Sequence, residues 1–236
     1  MRRLSEFARS QPHAAFTALS HSLIGRWVYL WRVSTCSGAL LQPLEDAVRR
    51  VLLPALTGQP AFGSRTLDLL AVPASLGALG VVNPTGLPAV HHPASLRICA
   101  PIVQLILEQG GDILSARSQQ TTIRHQLANE HRVLQQTQAS DLVGLLSPSV
   151  QRCVLAAQER GASAWVTALP LAVHGFSLHK SAFRDNLCLR YGWPLALVPS
   201  TCACGAKFDS DHALICRYGG YPTLRHNEVR DLTASL

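Results

Sequence analysis

Phe16, Leu19, Leu23, Trp27 and Leu30 recur at three- and four-residue spacing, which predicts one amphipathic helix over residues 13–33 with these side chains inward. Arg26, Tyr29 and Arg32 then fall together on another face of that helix. Pro43 suits the first position of a second helix reaching about Leu53, with Leu44, Ala47, Val48 and Val51 inward and Arg49 and Arg50 toward solvent. A turn-rich stretch over 54–63 leads to a short helix that Pro73 stops, and residues 76–84 read as glycine-punctuated turns with a short extended piece. Residues 94–108 are predicted helical up to Gly110-Gly111, with His91-His92 in a turn before them. Residues 113–138 are polar, and Ile123, Leu127 and Leu134 form a thin apolar stripe, the mark of a long, largely exposed helix. Ser147-Pro148 opens another helix that Gly161 is placed to cap. The last long helix, 178–191, stacks Phe183, Leu187 and Tyr191 at four-residue spacing before Gly192.

Strand signals are few and short, so the expected class is mainly α: a helical bundle-like body with a small C-terminal part. Proline-bearing extended chain near Pro194–Ser200 sets that part off, and three regions follow, 1–110, 111–198 and 199–236. No internal repeat is present.

With 236 residues, 47% of them hydrophobic and 15% charged, the chain can bury a core and is no disordered tail. The net charge of +7 is uneven. Residues 1–50 carry seven basic and three acidic side chains, whereas 51–179 are nearly balanced. Such a local excess fits either simple solubility or an anionic partner, nucleic acid more readily than a membrane surface. Met1-Arg-Arg is not followed by an apolar core, so no secretory signal is read. The charge-free candidate for a membrane span, Gly161 to Leu178, is interrupted by Pro170, His174 and Gly175 and is expected to be buried or extended rather than membrane-spanning. Of seven cysteines, Cys36, Cys99, Cys153 and Cys188 sit among apolar neighbours and are expected to be buried thiols in a reducing, intracellular compartment.

The other three cysteines change the picture. In the run CACGAKFDSDHALIC, Cys202 and Cys204 are two apart and face one side of an extended chain. Gly205 permits a tight turn after them, and His212 and Cys216, four apart, share a face of one helical turn. C-x-C-x7-H-x3-C supplies three thiolates and an imidazole, a tetrahedral set suited to zinc. Four protein ligands leave no open position, so the expected zinc is structural. His226 is a spare ligand, and Asp209 or Asp211 a weaker substitute.

Other chemistry is thin. His174 and His179 have no visible carboxylate partner, no phosphate-binding loop, nucleophile elbow or H-E-x-x-H occurs, and acidic residues are too sparse for a two-metal pair. No catalytic residue is nominated. Two basic sets are candidates for nucleic-acid contact: Arg26, Tyr29 and Arg32 with Arg49 and Arg50, and Lys180, Arg184, Lys207, Arg217 and Arg225. Arginines flanking an aromatic ring can grip a phosphate backbone and stack on a base, although an ordinary solvated face has the same look.

In order along most of the chain, the sequence resembles the region downstream of the polymerase palm in reverse transcriptases of non-LTR retrotransposons that carry a restriction-like endonuclease. The likeness rests on Gly25-Arg-Trp-Val-Tyr-Leu-Trp-Arg32, Leu53-Pro-Ala-Leu-Thr-Gly58, the stretch from Asp68 to Gly80, Asn83-Pro-Thr85, Phe183-Arg-Asp185, Leu189-Arg-Tyr-Gly-Trp-Pro194, the cysteine–histidine run, and Arg225-His-Asn-Glu-Val-Arg-Asp231. The resemblance implies a thumb-like region over 1–110 that packs helices against a template–primer duplex, a linker over 111–198, and a zinc knuckle at the start of an endonuclease-like segment over 199–236. Where the family pairs glycines in the thumb loop, this chain has Gly77-Ala78. The palm's paired aspartates are absent, since no Y-x-D-D occurs. Val229, Leu232 and Leu236 repeat at helical spacing with nothing following to cover them, which is expected of a cut segment.

The expectation is therefore a non-catalytic segment of a retroelement polyprotein, intracellular and with the nucleus included. It would bind RNA or DNA, as duplex or single strand, and neither a membrane nor a small-molecule substrate. The alternative is a helical protein-interaction module with a zinc-stabilised tail.

Overall fold

A helix the first amphipathic stripe did not include, α1 (Arg2–Ser10), comes first; the stripe itself folds as α2 (Pro12–Ala18) and α3 (Ile24–Val33), joined without a break by a wider π turn over Leu19–Leu23. In this computed structural model, which describes residues 1–60, 62–196, 198–219 and 221–234, the wide turn has a visible effect. A π turn takes in an extra residue and delays the inward face by one position. Phe16 and Leu19 are buried as predicted, but Trp31 rather than Leu30 reaches the core, at 2% exposure against 55%. The Trp31 ring stacks on His91, with centroids 6.0 Å apart.

The same device recurs in the second helical stretch. It begins at α4 (Gly38–Ala47), not at Pro43, and passes through a π turn over Val48–Leu52 into α5 (Leu53–Thr57). Pro43 lies inside α4, in its second turn, where the helix forgoes the bond that an N–H would make to the Ala39 carbonyl. The helix buries Glu45, which accepts from Arg49 at 2.8 Å and from the Thr85 hydroxyl. Two neighbours thus satisfy a carboxylate that would be costly to bury alone.

After α6 (Ser64–Ala71), Gly80 N–H donates to the Val72 carbonyl at 2.7 Å and Val81 N–H to Leu70 at 2.9 Å, turning the chain back on itself. Gly77, at φ +87°, lies so close to Val154 that an added Cβ would meet its carbonyl oxygen at 2.6 Å. Ala78 is fully buried against Val72 and Ala139, so its methyl fills space in the core.

Next come α7 (Pro88–Leu107) and α8 (Ile113–Gly144), which pack on each other. The predicted turn at His91-His92 is helical instead, because Pro88 starts the helix earlier and the helix continues through Pro93. Asp112 caps α8 by accepting from the N–H groups of Leu114 and Ser115.

Beyond α9 (Pro148–Ala156), Gly161 adopts φ +87° in a run of turns rather than capping that helix, and α10 (Ala164–Thr167) follows. Most of Gly161–Leu178 is exposed, Val173 at 93%, although Val166 is buried. In α11 (Lys180–Tyr191), Phe183, Leu187 and Tyr191 are all buried, as their spacing predicted. Phe183 gathers the rings of His13, Phe16 and Trp165 within 5.4–6.2 Å, and each such buried side chain is worth about 1.5–3 kcal/mol.

The chain is mainly α. It divides into one unit over Met1–Gly192 and a second over Trp193–Leu236, which holds α12 (Ser210–Ile215) and α13 (Tyr221–Ala234). Val229 and Leu232 on α13 are exposed, and Leu236 lies outside the described residues. Among the described residues, no helix is long and apolar enough to cross a membrane. The scattered cysteines depart from expectation: Cys188 is buried, but Cys99 is exposed on α7 and Cys36 and Cys153 are half-buried.

Candidate metal centre

The second unit begins with a small hairpin. Phe208 N–H donates to the Ser200 carbonyl at 3.1 Å, Thr201 and Lys207 pair antiparallel, and Cys202 N–H donates to Ala206 at 2.8 Å. Gly205, at φ +85°, makes the reversal, and its N–H returns to the Cys202 carbonyl at 2.9 Å. Asp209 then caps α12, accepting from the His212 N–H at 2.8 Å. One turn later, Cys216 N–H donates to the His212 carbonyl at 2.8 Å, setting both side chains on the same face.

These two local structures bring Cys202, Cys204, His212 and Cys216 together, with their ligand atoms all within 4.8 Å of one another. Cys202 Sγ lies 3.6 Å from Cys216 Sγ, and Cys204 Sγ lies 3.2 Å from His212 Nε2. A zinc ion at usual bond lengths gives tetrahedral edges of about 3.5–3.8 Å, so ligand atoms this close together can share one ion. Cys216 is buried, Cys202 and His212 are half-buried, and Cys204 lies at the exposed edge. The Phe208 ring meets His212 edge-on at 6.3 Å and shields that flank.

The donor set suits a metal electrostatically as well. The Cys204 N–H pulls the Cys202 thiol down, but burial and the sulfurs of Cys216 and Cys204 together push it above its ordinary value. A dication at the centre reverses that balance. The cluster can hold a metal ion. Of the reserve ligands, Asp209 serves as the cap, while Asp211 and His226 are exposed and outside the cluster.

The basic candidates divide. Arg26, Tyr29 and Arg32 are all exposed along α3, with Tyr29 at 64%. Arg49 is held by Glu45, and Arg50 reaches only a distant pair with Asp46 at 3.8 Å. Lys180 is exposed at the start of α11. Arg184 turns inward, donating to the carbonyls of Ala55 at 2.6 Å and Leu56 at 3.3 Å, where α5 ends. Lys207, Arg217 and Arg225 are exposed within the second unit, in the same unit as the cysteine cluster.

Two features escaped the sequence. Arg190 is buried, donating to Ser163 Oγ at 2.7 Å and to the carbonyls of Ala78 and Ala74. It lies in the last turn of α11, and nothing in the local sequence marks it for burial. Arg97 and Arg124, in a segment of balanced charge, are exposed on the α7–α8 pair. Compared with protein-family models, curated proteins and solved structures, the chain matches none of them.

Proposed function

We propose that the protein is a non-catalytic, nucleic-acid-binding segment of a retroelement reverse transcriptase polyprotein, from the region after the palm, with one structural zinc at its C-terminal knuckle. The observation that carries this reading is the four-ligand cluster in a small unit that also exposes Lys207, Arg217 and Arg225. Four protein ligands around one zinc would leave no open position, so the metal's role is to fix a scaffold. In so small a unit it supplies folding energy that a short chain lacks. The exposed cations on that scaffold fit a phosphate backbone, and the row Arg26, Tyr29 and Arg32 offers two cations around a ring on which a base can stack.

No base-reading element accompanies either set, so binding depends on charge and strand form more than on sequence. Titration of RNA, single-stranded DNA and an RNA–DNA hybrid at two salt concentrations tests the reading. Affinity should fall steeply with salt, and Arg26→Ala with Arg32→Ala should flatten the log–log slope by roughly one to two. Undetectable binding of all three at low salt would favour the second reading, a helical protein-interaction module with a zinc-stabilised tail. The exposed Leu96, Val103, Ile106 and Leu134 on the α7–α8 pair speak for that module.

A further inference from the structure

Val90, Ala94 and Ile98 recur along α7 at four-residue spacing, and Leu127 and Leu134 are seven apart on α8. Where the two helices pack, these rows line a groove of about 420 Å³. From Arg124 to Leu134 the α8 wall runs about 15 Å at 1.5 Å per residue, the length of roughly three helical turns. Leu134 remains 60% exposed and Val90 44%, so the walls have apolar surface to bury.

The edge of the groove is basic. Arg32 stands at one end, and Arg97 and Arg124 lie along it, against a single acidic neighbour, Glu130. Glu130 meets Arg97 at 3.6 Å, but both are more than half exposed and the pair is weak. Apolar walls with arginines at the rim complement an apolar stripe flanked by carboxylates.

We propose that this groove docks an amphipathic, acidic helix of a partner protein, its apolar anchors at i, i+4 and i+7 seated between α7 and α8. A single nucleic-acid strand fits less well, because the lining is mainly aliphatic and offers few rings for bases to stack on. Of the two lining rings, His91 already stacks on Trp31 and His131 is half-buried. Helix-in-groove binding needs what is present here: a trough parallel to two helices, of matching length, with charge at its edges. The inference goes beyond the nucleic-acid reading and does not depend on it.

The test uses the full chain and a fluorescein-labelled synthetic peptide of about 14 residues, with leucines at i, i+4 and i+7 and glutamates on both flanks. Its comparisons replace the leucines by alanine or the glutamates by lysine, and a labelled oligothymidylate serves as the nucleic-acid probe. Saturable anisotropy should weaken at least ~10-fold with the alanine peptide and disappear with the lysine peptide. Arg124→Glu and Leu134→Ala, both at exposed positions, should each weaken the parent peptide with an unchanged circular dichroism spectrum. Equal binding of the leucine and alanine peptides, or none of the leucine peptide, would overturn the proposal. So would oligothymidylate binding that Arg124→Glu abolishes while peptide binding stays unchanged. Failure of the native chain to bind the leucine peptide while it still binds RNA rejects the groove alone and leaves the nucleic-acid reading standing.

Discussion

The guanidinium of Arg184 closes on the Ala55 main-chain carbonyl at 2.6 Å, so this cation joins α11 to the end of α5. Its Nε also donates to Leu56, and its stem covers Gly58, within 3.1 Å of where a Cβ would stand. The last carbonyls of a helix lack partners within it, and a cation placed there satisfies them. Arg184→Ala is therefore expected to lower the unfolding free energy in urea by about 1.5–3 kcal/mol. The salt slope of nucleic-acid binding should stay as it is. A flattened slope with unchanged stability would place this side chain on the outer surface.

Gly77 and Gly161 share a left-handed φ of +87° but differ in their surroundings. A Cβ on Gly161 meets nothing within 4 Å, whereas one on Gly77 runs into the Val154 main chain. Gly161→Ala is expected to cost about 1 kcal/mol from the backbone alone, and Gly77→Ala clearly more, at least ~2–3 kcal/mol. Chemical denaturation of both variants gives the difference, and equal losses would mean that α9 moves aside freely.

His13 has both ring nitrogens engaged. Nε2 donates to the Ala168 carbonyl at 3.1 Å, and Nδ1 accepts from the Leu178 N–H at 3.2 Å. That arrangement requires the neutral ring, and burial lowers its pKa below the ordinary 6.5, the Ala168 carbonyl opposing only in part. The unfolded chain then binds the proton more readily than the folded one. Stability present above about pH 6.5 should drain away as the pH falls through the folded value. Urea midpoints at pH 7.5 and 5.5 should differ for the native chain, and less so for His13→Gln. An equal pH dependence in both proteins would assign the effect elsewhere, with His91, also lowered by burial, next to examine.

How far the sequence reaches depends on whether a feature is local. The stripe Phe183, Leu187 and Tyr191 was legible because an uninterrupted α-helix keeps its period, and all three are buried. The tetrad was legible because a two-residue and a four-residue spacing each fix a shared face within a few residues of chain. Leu30 was misplaced because a π turn, which no residue in 19–23 announces, shifts the phase by one. Pro43 misled for a related reason: a proline can open a helix, as Pro88 does, or lie within one, as Pro43 and Pro101 do. Arg184 was a candidate for nucleic-acid contact and Arg190 carried no reading, because the carbonyls they bind belong to chain more than a hundred residues away.

The central claim is that Cys202, Cys204, His212 and Cys216 hold one structural zinc. Measurement of bound metal, followed by cobalt substitution, tests it most directly. The purified chain should carry about one zinc, and the cobalt form should show thiolate-to-metal charge-transfer absorption that vanishes in Cys202→Ser with Cys204→Ser. Chelation should raise amide hydrogen exchange across residues 201–216 while leaving that of α11 unchanged. Metal-free protein that keeps the same exchange protection over 201–216 would contradict the account.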